Sequence, residues 1–117
     1  MGKRMAMAIA LVVVVPGAAF AQSNPAYAPC AACHSVKRGE NRLGPHLAGI
    51  VGRPKASVAG FNYSQALKAK KGVWTEADLI AYITNPKAAV PGTRMMSPGV
   101  KDPAKRAALM TYLKSLR

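Results

Sequence analysis

Residues 30–34 read Cys-Ala-Ala-Cys-His, and Cys30 and Cys33 are the only cysteines of the 117-residue chain. Two thiols three positions apart, with His34 directly behind them, restrict the fold more than any other feature. A thioredoxin-like disulfide wants such a pair at the start of a helix in a βαβ setting. No strand signal precedes the motif, and no alternating apolar pattern occurs elsewhere. A structural zinc site needs four ligands. Two cysteines and two histidines reach that number, but His34 is badly placed to share one tetrahedral ion with its neighbour Cys33. A plain disulfide across two intervening residues would close a tiny loop and stabilise little.

The chain ahead of the motif divides at Ala21. Lys3 and Arg4 form a short basic start, residues 5–15 are an uninterrupted apolar run, and Pro16-Gly17 breaks it. Ala19-Phe20-Ala21 then offers small residues at the two positions that a signal peptidase inspects, so residues 1–21 are expected to be a secretory signal. A retained membrane anchor would need about 20 apolar residues, and the stretch 5–21 is shorter and contains Pro-Gly. Residues 22–117 would then be one small domain. Without Lys3 and Arg4, 15 basic side chains face only Glu40, Glu76, Asp78 and Asp102, a formal charge of +11. That imbalance predicts attraction to an acidic surface. Nucleic acid is not expected, because the basic residues are not interleaved with aromatics.

Three stretches carry helix signals and none carries a strand signal. Residues 63–71 lie between a cap at Asn62 and a stop at Gly72, and contain good helix formers. Thr75-Glu76-Ala77-Asp78 resembles a capping box, Leu79, Ile80 and Ile83 supply an apolar face, and Asn85-Pro86 ends the helix. Asp102 caps a last helix with Pro103 at its first position. There Leu109, Leu113 and Leu116 recur at helical spacing. The segments 35–59 and 87–101 are irregular and rich in glycine and proline. So much loop in so small a domain implies something large to wrap around.

C-x-x-C-H is also the attachment sequence for c-type haem. Two thiols add to the vinyl groups along one porphyrin edge, and the histidine reaches back to the iron. The ligand on the opposite face then decides the function. Met110 lies in the last helix and reads as core; Met95 and Met96 lie in a loop behind Pro91-Gly92. The Pro-Gly turn favours Met95, and Met96 remains its competitor.

"CAACH", "GPHLAGIVGR", "GFNYSQALKAKKGVWTEADLIAYITNPK" and "PGTRM" occur in order, followed by an amphipathic last helix. With these motifs, residues 30–117 closely resemble class I cytochrome c of the mitochondrial and photosynthetic-bacterial type. The resemblance implies an all-α fold of helices and long loops around one covalent haem c, its N-terminal helix here shortened or absent. It implies thioether bonds at Cys30 and Cys33, and His34 and Met95 as axial ligands. Pro45 would accept from the free ring N–H of His34. Tyr82 would lie beside the methionine sulfur, and Arg53, Tyr63, Trp74 and Thr93 would surround the haem propionates. Lys37, Arg38, Arg42, Lys87, Arg94 and Lys101 would frame the exposed haem edge and steer docking.

The function implied is that of a periplasmic single-electron carrier, not an enzyme. Its partners would be acidic faces of a quinol–cytochrome c reductase, a terminal oxidase or a dehydrogenase, with membrane contact only through them unless the signal is retained. The alternative is a cytochrome c subunit of a larger oxidoreductase. That alternative arises because residues 22–29 are too short for the family's first helix, and Pro25 and Pro29 discourage any helix there. The face of the last helix carrying Leu109, Tyr112 and Leu113 must then be exposed, patched by Tyr27, or covered by a partner. The loop between His34 and Gly44-Pro45 is also one residue shorter than in mitochondrial relatives. Leu67 and Ser97 replace a usually polar and a usually aromatic residue near the haem.

Overall fold

The computed structural model describes Gly2, residues 8–12 and residues 24–117. Most of the expected signal, residues 1–21, lies outside the described residues. Among them, no helix is long and apolar enough to cross a membrane.

The described chain is helical, without a strand; its sheet-like pairing is one antiparallel bridge, Pro54 with Val73. A 3-10 turn, Pro25–Tyr27, leads directly into α1, Ala28–Ala31. After a long loop come α2, Gln65–Lys68, α3, Glu76–Thr84, α4, Pro86–Ala89, and α5, Pro103–Ser115.

Caps account for most boundaries. The Thr75 side chain accepts from Asp78 N at the start of α3, and Asp102 accepts from Ala104 N and Lys105 N at the start of α5. Such caps satisfy donors that the first helical turn leaves open. Asn85 ends α3 and caps α4, whose short turn falls where the sequence suggested only loop. Pro86 fits there because the first helical position needs no N–H.

The same rule corrects the expectation for the N-terminal arm. Pro25 and Pro29 stand in the first turn of their elements, so they start short helical turns rather than forbid them. The expected helix 63–71 shrinks to α2 because Ser64, not Asn62, is the cap: its Oγ accepts from Leu67 N at 3.1 Å. Tyr63 is thereby turned inward, 5% exposed.

The core joins the arm, α3 and α5. Tyr27 is fully buried, and its ring lies 5.3 Å from that of Tyr112 at a tilt of 48°. Leu109, Met110, Tyr112 and Leu113 of α5 are all buried, so the patch by Tyr27 is the arrangement realised. On α3 the inward residues are Leu79, Tyr82 and Ile83, whereas Ile80 is 38% exposed, contrary to expectation. Positions 79, 82 and 83 share one helical stripe and 80 falls beside it. Gly99 closes this side of the molecule: its φ is +94°, and a Cβ there would run into the Thr84 carbonyl.

Candidate functional site

Cys30 and Cys33 follow the Pro29 start of α1 and share one tight turn. Cys33 N and His34 N both donate to the Cys30 carbonyl, at 3.1 and 3.0 Å. Both thiols are part-buried, and they do not form a disulfide. Burial pushes the Cys30 thiol up to about 11, with Cys33 a second cause. A metal-binding or redox-active cysteine needs the opposite shift, toward thiolate. Among the described residues, no group of three His, Cys, Asp or Glu side chains could hold a metal ion by itself.

His34 is held at its ring and its backbone. Nδ1 lies 2.7 Å from the Pro45 carbonyl oxygen. A carbonyl only accepts, so Nδ1 carries the hydrogen and Nε2 presents its lone pair. Burial, the largest cause, lowers the imidazole pKa below its ordinary 6.5; the Pro45 bond opposes this and Arg53 adds to it. The ring packs on the Gly44 backbone so closely that a Cβ at 44 would lie 2.6 Å from Nδ1. On the backbone side, the Tyr27 hydroxyl donates to the His34 carbonyl at 2.6 Å. Burial raises the Tyr27 phenol above its ordinary range, so it remains a donor.

A second group of residues surrounds Met95. The Tyr82 hydroxyl and Thr93 Oγ1 lie 2.6 Å apart, and Met95 N donates to Thr93 Oγ1 at 3.3 Å. Arg94 donates to the Asn62 and Tyr63 carbonyls at 3.2 and 2.9 Å, tying this loop to the segment before α2. Met95 is part-buried against the core, while Met96 is 87% exposed. Burial raises the Tyr82 phenol, and its bond to Thr93 partly offsets this.

Arg53, Tyr63 and Trp74 line the same interior. Arg53 Nη1 donates to the His46 and Ala48 carbonyls at 2.8 and 3.1 Å. The Tyr63 hydroxyl accepts from Val58 N at 3.0 Å. Trp74 is held by backbone bonds to Gly52 and Arg53 at 2.8 Å, and its ring lies 5.1 Å from that of Tyr82. Thr93, expected beside the propionates, has Tyr82 and Met95 N as its partners.

Residues 16–117 match the family of cytochrome c. The chain is 46% identical over 97 residues to cytochrome c2 iso-2 of Magnetospirillum fulvum, covering 82% of this chain and 100% of that protein. It is 45% identical over 87 residues to cytochrome c of Guizotia abyssinica, with 74% and 78% covered. Among solved structures it is similar to cytochrome cH from Methylobacterium extorquens, at a TM-score of 0.72 and 41% identity, covering 85% of this chain and 99% of that one.

The chain belongs to the cytochrome c family. It has the small all-α class I fold, and as a c-type cytochrome it binds one covalent haem c and transfers electrons rather than catalysing a reaction.

The residues of this cytochrome fit a haem. Two thiols occur on one turn, beside an imidazole whose Nε2 is available. Arg53 Nε is buried without a partner, a donor that an acidic substituent of a bound group would satisfy. Lys37, Arg38, Arg42, Lys87, Arg94 and Lys101 are all exposed. Three of them are also anchored to backbone: Arg94 as above, Lys101 Nζ to the Thr84 carbonyl at 2.7 Å, and Arg42 to the Ala31 carbonyl at 3.5 Å. Sequence reasoning missed His46, which is 6% exposed with its Nδ1 unpartnered. Its place beside Pro45 was the available signal. Leu43, 83% exposed between Arg42 and Gly44, was also missed. No periodicity marks a lone apolar loop residue.

Proposed function

We propose that this cytochrome c is an exported single-electron carrier of the periplasm. Cys30 and Cys33 form its thioether bonds, and His34 and Met95 are its axial ligands. The observation that carries the reading is the bond from His34 Nδ1 to Pro45, which leaves Nε2 as the donor for iron. The half-buried Met95, beside a Met96 that is 87% exposed, supports the assignment of the second ligand. When bound, the haem would supply a centre that gains or loses one electron, with His34 and Met95 holding its iron. Around it the protein excludes water with Tyr63, Trp74 and Tyr82, all under 10% exposed. Arg53 Nε would meet its acidic substituents, and the Tyr82–Thr93 pair steadies the loop of Met95.

Replacement of Met95 by alanine is expected to abolish the iron–sulfur charge-transfer band at the red end of the oxidised spectrum. Met96→Ala should retain it. The opposite pattern assigns the ligand to Met96, and carbon monoxide binding by the unaltered protein would refute the two-ligand centre.

Residues 1–21 act in this reading as the export signal. Mass spectrometry of the exported protein should find Gln22 at the N-terminus. The exposed cations would bring acidic faces of a reductase and an oxidase to the haem edge and shorten the search for it. Electron exchange with an acidic oxidase should therefore slow as salt rises, and a salt-independent rate would remove the steering role. The burial of the α5 face beneath Tyr27 favours a free carrier over a tightly held subunit.

A further inference from the structure

Within the reading of His34 as an iron ligand, the arm that precedes Cys30 has a role of its own. His34 is anchored by its N–H to the Cys30 carbonyl and by Nδ1 to the Pro45 carbonyl. Its own carbonyl receives no backbone N–H among the described residues. The donor it has is the Tyr27 hydroxyl, at 2.6 Å. Tyr27 is 0% exposed, so this phenol has no water to fall back on. Its ring meanwhile packs on Tyr112 of α5, at 5.3 Å.

We propose that Tyr27 is a positioning residue for His34. Its hydroxyl fixes the peptide that carries the imidazole, and its ring ties that peptide to α5. One side chain on a one-turn arm thus couples the docking of the last helix to the orientation of the iron ligand. Packing alone does not account for a tyrosine here. A phenylalanine would bury the same ring against Tyr112 without needing a partner for a buried hydroxyl. The O–H dipole also has a sign. Its positive end points at the His34 peptide and disfavours the extra positive charge of oxidised iron, so the bond raises the reduction potential.

The test uses the full-length, haem-loaded protein and Tyr27→Phe. This variant is expected to retain haem and helical content, to show a lower midpoint potential, and to shift the hyperfine resonances of the His34 ring and the haem methyl groups. Tyr27→Leu should add a fall in melting temperature from lost packing. In the unaltered protein, the Tyr27 hydroxyl proton should exchange slowly with water and show a cross-peak to His34 or Ser35. Wild-type potential and hyperfine pattern in Tyr27→Phe, with only stability altered, would reduce Tyr27 to packing and overturn the proposal. So would a hydroxyl proton in fast exchange, a measurement that stands even where a variant fails to fold. Absence of hyperfine-shifted His34 resonances from the unaltered protein would instead refute His34 as the ligand, and the proposal with it.

Discussion

His34 is secured through its backbone on both sides and through its ring, whereas Met95 is secured through the residues beside it. The partners of His34 are Cys30, Tyr27 and Pro45, the last two 7 and 11 positions away; Tyr27 is fully buried and the other two are part-buried. Met95 relies on Thr93, which is bonded to Tyr82, and on Arg94, which reaches 31 and 32 positions back to Tyr63 and Asn62. Arg94 is exposed, and its bond to the Asn62 carbonyl is exposed as well. Bonds open to water contribute less and are lost in small openings. The Tyr82–Thr93, Met95–Thr93 and Arg94–Tyr63 bonds are part-buried, so it is through the one open bond that the methionine side is expected to yield before the histidine side.

The largest test of that contrast is at glycine. Gly44→Val would drive a side chain into the His34 ring, and an overpacked site of this kind costs about 3 kcal/mol. Gly92→Ala places a Cβ 3.1 Å from that of Ala66 at a φ of +90°, a strain of about 1–2 kcal/mol. Guanidinium unfolding of both holoproteins compares them, and equal losses would erase the asymmetry. Next is Thr93→Val, which leaves the Tyr82 hydroxyl and Met95 N without their partner. It should cost about 1–2 kcal/mol and make the charge-transfer band fade under milder alkali or denaturant, with the haem still attached. An unchanged band would show that the loop holds Met95 without Thr93.

The smallest effect concerns acid. Burial, followed by Arg53 and Arg38, lowers the pKa of His46 below its ordinary 6.5. The unfolded chain then binds more protons than the folded one as pH falls below about 6.5, so stability declines in that window. His46 follows Pro45, the partner of the His34 ring, so this effect of acid falls on the histidine side. His46→Asn should flatten the fall in melting temperature between pH 7 and pH 5. An identical fall would assign it to other groups.

Short-range chemistry was legible in the sequence. The turn from Cys30 to His34, the Thr75 cap, the Asp102-Pro103 start and the stop at Asn85-Pro86 each involve partners a few positions apart. Where two neighbouring residues competed for one role, the sequence did not decide. Asn62 and Ser64 are both good caps, and Ser64 prevailed because that choice buries Tyr63. Ile80 and Tyr82 both suit an apolar stripe, and Trp74 lies against Tyr82. Pro25 and Pro29 read as breakers because nothing in the sequence said which turn they would begin.

By itself the sequence determined the family, the attachment motif and the order of the helices, because those depend on spacing along the chain. Only the tertiary structure decided that Tyr27 covers α5 and reaches the His34 carbonyl. It alone decided that Arg94 clamps the methionine loop, that Met95 lies inward with Met96 outside, and that Arg53 keeps an unpartnered N–H. Each of these depends on which distant segments meet when the core closes, and spacing does not encode that meeting. It is set by packing Tyr27 on Tyr112 and Trp74 on Tyr82, contacts whose energy exists only after the chain has folded.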